Sequence, residues 1–93
     1  MENNTGIQIS SKVIVEKGCK ALGITKGSTA YVKNIVELGP DYSHSVRVSL
    51  FFLNSFAAGK TFNLIARHIN RLSDIFVNLN DGNPTHKITV VLR

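Results

Sequence analysis

The stretch from Ser45 to Leu53 restricts the fold more than any other part of the chain. Val46, Val48, Leu50 and Phe52 point one way if the backbone is extended, and Ser45, Arg47, Ser49 and Phe51 point the other. An apolar residue at every second position is the signature of a strand with one face on a core and one toward solvent. A single core is what a chain of 93 residues can build, because it buries only roughly 60–65% of its unfolded surface. That length also excludes a full Rossmann enzyme, a TIM barrel or a kinase. Val and Ile supply 18 residues, and with 6 Thr, 5 Phe and 2 Tyr strand formers make up about a third of the chain.

The same reading extends in both directions. Lys12 to Glu16 is a strand closed by Gly18, and Thr29 to Leu38 is a second. There Ala30, Val32, Val36 and Leu38 fall inward, while Tyr31, Lys33 and Ile35 share the outer face. The alternation breaks at Lys33-Asn34, which predicts a bulge, because an inward Asn would need a hydrogen-bond partner. Gly39-Pro40-Asp41 is a turn. Lys60 to Arg67 continues as a strand with Phe62, Leu64 and Ala66 inward, and after the turn Asp81-Gly82-Asn83-Pro84 the last strand runs from His86 to Arg93. The first six residues read as a loose tail on a single domain.

One segment supports two readings. Phe62, Ile65, Ile69, Leu72, Phe76 and Leu79 are spaced as a helical stripe, with Asn63, Arg67, Asn70, Arg71 and Asp74 opposite. Against a helix stand its β-branched, aromatic and Asn residues, and the period-2 pattern through Ala66. The preferred reading is a strand to about Arg67 followed by a short helical turn near His68 to Ser73.

Strongly basic composition narrows the partners. Eleven Lys and Arg against six Asp and Glu give a net charge of +5, which favours polyanions. The surplus sits at both ends of the sequence: Lys12, Lys17, Lys20, Lys26 and Lys33 near the start, and Lys60, Arg67, Arg71, Lys87 and Arg93 near the finish. A lone Cys19 builds no disulfide framework and reads as core filling. The polar N-terminus lacks a signal-peptide pattern, and the longest apolar run, Leu50 to Leu53, is far short of the ~20 residues that span a bilayer. A cytoplasmic protein without a membrane role is the expectation.

Chemistry-bearing motifs are weak. Gly59-Lys60-Thr61 matches the end of a phosphate-binding loop, but Asn54 stands where that motif begins with Gly, so a hairpin turn with Gly at positive φ is expected. Gly18, Gly23 and Gly27 read as turn geometry; the alternative is close backbone approach to a phosphate, helped by Lys17, Lys20 and Lys26. His44, His68 and His86 lie apart from one another and from Cys19, so neither a metal site nor a cofactor is expected. The carboxylates are scattered, and no catalytic role is assigned.

These elements describe a mostly β fold: a small, strongly bent antiparallel barrel of about five strands with a short helical turn. Gly27-Ser-Thr-Ala-Tyr-Val32 leaving the first loop, Val46-Arg-Val-Ser-Leu50 as central strand, and Lys60 to Leu72 as a strand running into a turn resemble the Src-homology-3-like barrels, including KOW-type nucleic-acid modules. The likeness is architectural and covers about 60 residues; residues 74–93 have no counterpart in it. It implies a non-catalytic module that binds DNA or RNA with low sequence specificity. Pairing of the two central strands would gather Tyr31, Lys33, Arg47 and Phe51 into a basic patch interleaved with aromatics. Lys17, Lys20, Lys26, Arg67 and Arg71 would add cations. The alternative is a protein-interaction or assembly module, joining a protein partner or a second copy through Ile35, Phe51 and an open barrel edge.

Overall fold

A computed structural model describes residues 7–42, 45–66 and 76–93. Within them the chain forms a closed antiparallel barrel of six strands that pair in sequence order. The strands are β1 (Lys12–Lys17), β2 (Thr29–Glu37), β3 (Val46–Phe52), β4 (Thr61–Ala66), β5 (Phe76–Asn80) and β6 (Lys87–Leu92). Closure comes from β1 lying against β6, with Val13 opposite Leu92 and Val15 opposite Val90.

Period-2 patterning accounts for the interior. Val46, Val48, Leu50 and Phe52 of β3 are buried, as are Leu64 and Ala66 of β4 beside them and Ile88 and Val90 of β6. Each of the Val, Leu, Ile and Phe side chains contributes about 1.5–3 kcal/mol of burial. Phe52 meets the half-buried Phe62 edge to face, with centroids 5.7 Å apart at 83°. Ile24 from the β1–β2 loop and Ala57 from the β3–β4 turn are also buried in this core. Cys19 is half-buried, a free thiol packed against the core.

The strand count exceeds the sequence expectation by one, because residues 76–80 are extended. There Leu79 is buried opposite Ile88, and Asn78 opposite Thr89 accepts a hydrogen bond of 2.6 Å from its hydroxyl. An inward Leu beside outward Asn residues is strand alternation, and β6 supplies the hydrogen bonds that make it a strand. Phe62 and Ile65 of the helical stripe likewise belong to β4. The short helical turn near His68 to Ser73, and the tail of residues 1–6, lie outside the described residues.

The bulge falls where Asn34 predicts it. Val32 opposes Leu50, but Asn34 opposes Ser49, so Lys33 is the extra residue. One inserted residue reverses the facing of everything after it. Ile35 therefore opposes the buried Val48 and packs on the core, while Val36 opposes the exposed Arg47. This corrects the expected inward placement of Val36 and Leu38 and the outward placement of Ile35. Asn34 itself is exposed, and its Oδ1 accepts the Ile35 N–H at 3.0 Å, so it needs no buried partner.

Candidate nucleic-acid interface

Directly opposed residues of an antiparallel pair share a face, so the strand register writes out the barrel's outer surface in rows. The first row is Lys12, Tyr31, Phe51 and Thr61, from β1 to β4. Tyr31 and Phe51 touch, with ring centroids 5.3 Å apart and planes tilted by 42°. The bulged Lys33 reaches over the Phe51 ring, its Nζ 5.8 Å from the centroid, within cation–π range. The next row is Asn34, Ser49 and Asn63, where the Ser49 hydroxyl donates to Asn63 Oδ1 at 2.6 Å. The third is Val36, Arg47, Ile65, Asn80 and Lys87.

The charges in these rows are all positive. Lys12, Lys33, Arg47 and Lys87 are exposed, and no Asp or Glu stands among them. Two carboxylates adjoin the third row along the chain: Glu37, exposed beside Val36, and Asp81, which is occupied by His86 at 3.1 Å. Partial burial pushes the Asp81 carboxyl up, but its bonds with His86 and the Asn83 amide outweigh this and hold it below its ordinary value. Lys12, Lys33 and Arg47 make no ion pair among the described residues.

The predicted site is therefore assembled in part. Tyr31, Lys33 and Phe51 come together, and Arg47 lies on the same face about 13 Å along β3 from Phe51. Lys17, Lys20 and Lys26 are exposed on a different part of the surface, at the end of β1 and in the β1–β2 loop. Arg67 and Arg71 lie outside the described residues. Lys12 joins the first row from β1, and Lys87 lies on β6 at the far end of a row that wraps round the closed barrel; outward alternation along β1 and β6 could have flagged both, but their neighbours depend on register.

The glycine loops serve the fold. An added Cβ on Gly18 would lie 2.2 Å from the Ile24 carbonyl oxygen, so the close approach at this position is to the chain's own backbone. The N–H groups of Cys19, Leu22, Gly23, Ile24, Gly27 and Ser28 all donate to carbonyls of this loop or of β1, which removes them as phosphate donors. Gly59 takes φ +80 in the β3–β4 turn, and its N–H and that of Lys60 donate to Phe52 and Ala57. This is a hairpin turn, with neither amide directed at a ligand.

Among the described residues no three His, Cys, Asp or Glu side chains gather as a metal-binding group, and no helix is long and apolar enough to cross a membrane. The small closed antiparallel barrel is compatible with a Src-homology-3-like architecture. No protein-family model, curated protein or solved structure matches the chain.

Proposed function

We propose that this protein is a non-catalytic module that binds nucleic acid, with little sequence preference, on the outer face of β1 to β4. The observation that carries this reading is the touching pair Tyr31 and Phe51 with Lys33 over the Phe51 ring, among rows of the sheet whose charges are all positive; Glu16 at the end of β1 and Glu37 at the end of β2 lie beyond those rows. Half-exposed rings offer π surface on which bases stack, and the lysines around them meet phosphates. Low specificity follows from the polar groups between them: Ser49 and Asn63 are bonded to each other, which leaves few donors and acceptors to read base edges. Lys17, Lys20, Lys26, Arg67 and Arg71 are proposed to extend the cationic surface.

Titration of a fluorescent oligonucleotide tests this. With about four to six phosphates contacted, affinity should fall by about a hundredfold or more between 50 and 200 mM salt. Lys33→Ala and Arg47→Ala should each lower the salt slope by about one unit, as should each lost contact in Arg67→Ala with Arg71→Ala. Tyr31→Ala should weaken single-strand binding by about 1–3 kcal/mol and leave the slope unchanged. No binding at 50 mM salt with protein up to about 100 μM would discard the reading.

The assembly reading is favoured by a different observation. The closed barrel leaves no open edge of the kind expected from the sequence, but β4 and β5 share one paired position, Ile65 with Asn80, among the described residues, and opening of that seam would be needed for a second chain to add a strand. A sedimentation mass above that of the monomer, insensitive to salt and to added oligonucleotide, would support it.

A further inference from the structure

The β3–β4 turn holds a large apolar ring in solvent: Phe56 is 82% exposed. Its backbone is tightly held. Asn54 Oδ1 accepts the Thr29 N–H at 2.9 Å, Asn54 Nδ2 donates to the Thr29 hydroxyl at 3.0 Å, and the Leu53 N–H donates to the Thr29 carbonyl at 2.9 Å. Ala57, next in the chain, is fully buried, and the N–H groups of Ala58, Gly59 and Lys60 close the turn on Ser55, Phe52 and Ala57. Ser55 adopts φ +67, a left-handed conformation that strains a non-Gly residue. The fold thus accepts strain in a turn that displays a phenylalanine outward.

The surroundings say what the ring suits. Gly23 of the β1–β2 loop neighbours Phe56: an added Cβ would stand at ordinary contact distance, 3.7 Å, from Phe56 Cβ. The two segments that meet here, residues 18–30 and 50–66, carry Lys20, Lys26 and Lys60 and no Asp or Glu. Leu53, 43% exposed, follows Phe51 by two residues and so continues its outward face toward the turn. Exposed or half-exposed apolar side chains therefore follow one another along the chain from Phe51 through Leu53 to Phe56, and the loop that meets this turn carries Lys20 and Lys26. Protein interfaces are depleted of lysine at their cores, and one ring beside one Leu is too small a patch for such a core. An aromatic face flanked by lysines matches the alternation of base and phosphate along a single strand. A duplex keeps its base faces stacked on each other and offers none to the ring.

We propose that Phe56 is a second stacking position, at the end of the barrel, for an unpaired base of a single-stranded nucleic acid that also lies on Tyr31 and Phe51. This rests on the nucleic-acid reading above. It makes single strands preferred over duplexes, and because a Phe face makes no hydrogen bonds the preference is tolerant of base identity.

The test uses the full chain, a fluorescent mixed-sequence 20-mer, and the same 20-mer annealed to its complement. Phe56→Ala should weaken single-strand binding by about 5- to 150-fold, leave duplex binding within about twofold, and leave the salt slope unchanged. It should also leave the urea midpoint unchanged, because the ring is exposed. The chain has no Trp, so Phe56→Trp installs a single reporter; it should retain binding, and its emission should be quenched by the single strand. Wild-type affinity in Phe56→Ala, with Tyr31→Ala still weakened, would overturn this inference and leave the sheet-face reading standing. A loss of self-association in Phe56→Ala with oligonucleotide affinity unchanged would overturn it in favour of a protein contact. Failure of the wild type to bind either oligonucleotide would overturn both readings.

Discussion

Replacing Gly18 by Ala should damage this barrel through a steric conflict that no backbone dihedral predicts. Gly18 does not occupy the positive-φ region, so Ala meets no conformational penalty there. Its Cβ, however, would stand 2.2 Å from the Ile24 carbonyl oxygen, 2.9 Å from the Ile24 carbonyl carbon and 3.0 Å from Thr25 Cα. All three are backbone atoms, so relief requires the loop to open by about 1 Å. Opening breaks the reciprocal bonds Cys19 N–H to Ile24 O at 2.9 Å and Ile24 N–H to Cys19 O at 3.1 Å, worth about 1 kcal/mol each. It also loosens Ile24, which is 1% exposed, and so forfeits part of a burial worth about 1.5–3 kcal/mol. The total is about 2–4 kcal/mol, against a global stability of about 5–14 kcal/mol for a chain of this size. In urea unfolding followed by far-ultraviolet circular dichroism, the midpoint should drop by about 1–3 M. Gly23 is the control. It sits at φ 72 and ψ 21, so Gly23→Ala should cost about 1–2 kcal/mol, and Gly23→Asn should recover part of that because Asn tolerates this region. Gly18→Asn should recover nothing. If Gly18→Ala unfolds within about 0.5 kcal/mol of wild type, the loop does not close on Ile24 as described.

Three further outcomes follow from the register and the charges. Val48→Asp places a charge at a fully buried position and should abolish the cooperative unfolding transition, whereas Ser49→Asp, half-exposed on the opposite face, should cost about 1 kcal/mol or less; equal effects would put the β3 register wrong by one. Past the bulge, Ile35→Asp should destabilise more than Val36→Asp in the same assay, and the reverse order would remove the bulge. The lowered Asp81 carboxyl binds its proton less readily folded than unfolded, so its contribution is present above the unfolded value of about 3.9 and is lost as pH falls through the folded one. Asp81→Asn should flatten that acid limb of the urea midpoint measured from pH 6 to 2.5, by a small amount because both partners remain partly exposed.

Sequence periodicity alone identified five strands. In β3 and β6 the inward residues recur at every second position, and the alternating pleat of an extended chain turns that spacing directly into a buried face. It also located the bulge, because Asn34 at an inward position would have lacked a partner. The consequence of the bulge was not legible. Whether Ile35 or Val36 meets the core depends on which residue of β3 lies opposite, and Ile35 against Val48 is a long-range pairing. β5 was hidden for a related reason: five residues, two of them Asn, carry too little alternation of their own, and β6 makes them a strand. The candidate site divides along the same line. Tyr31, Lys33, Arg47 and Phe51 were individually outward-facing in the sequence, but their union needed β2 paired to β3 in this register. Phe56 gave no signal, since it lies in the turn between two strands, where no periodicity assigns a side chain a facing. Facing along a strand is local and is carried by backbone geometry residue by residue. Register and exposure are set by hydrogen bonds and packing between segments far apart in the chain, so only the closed barrel decided which rings meet and which one stands in solvent.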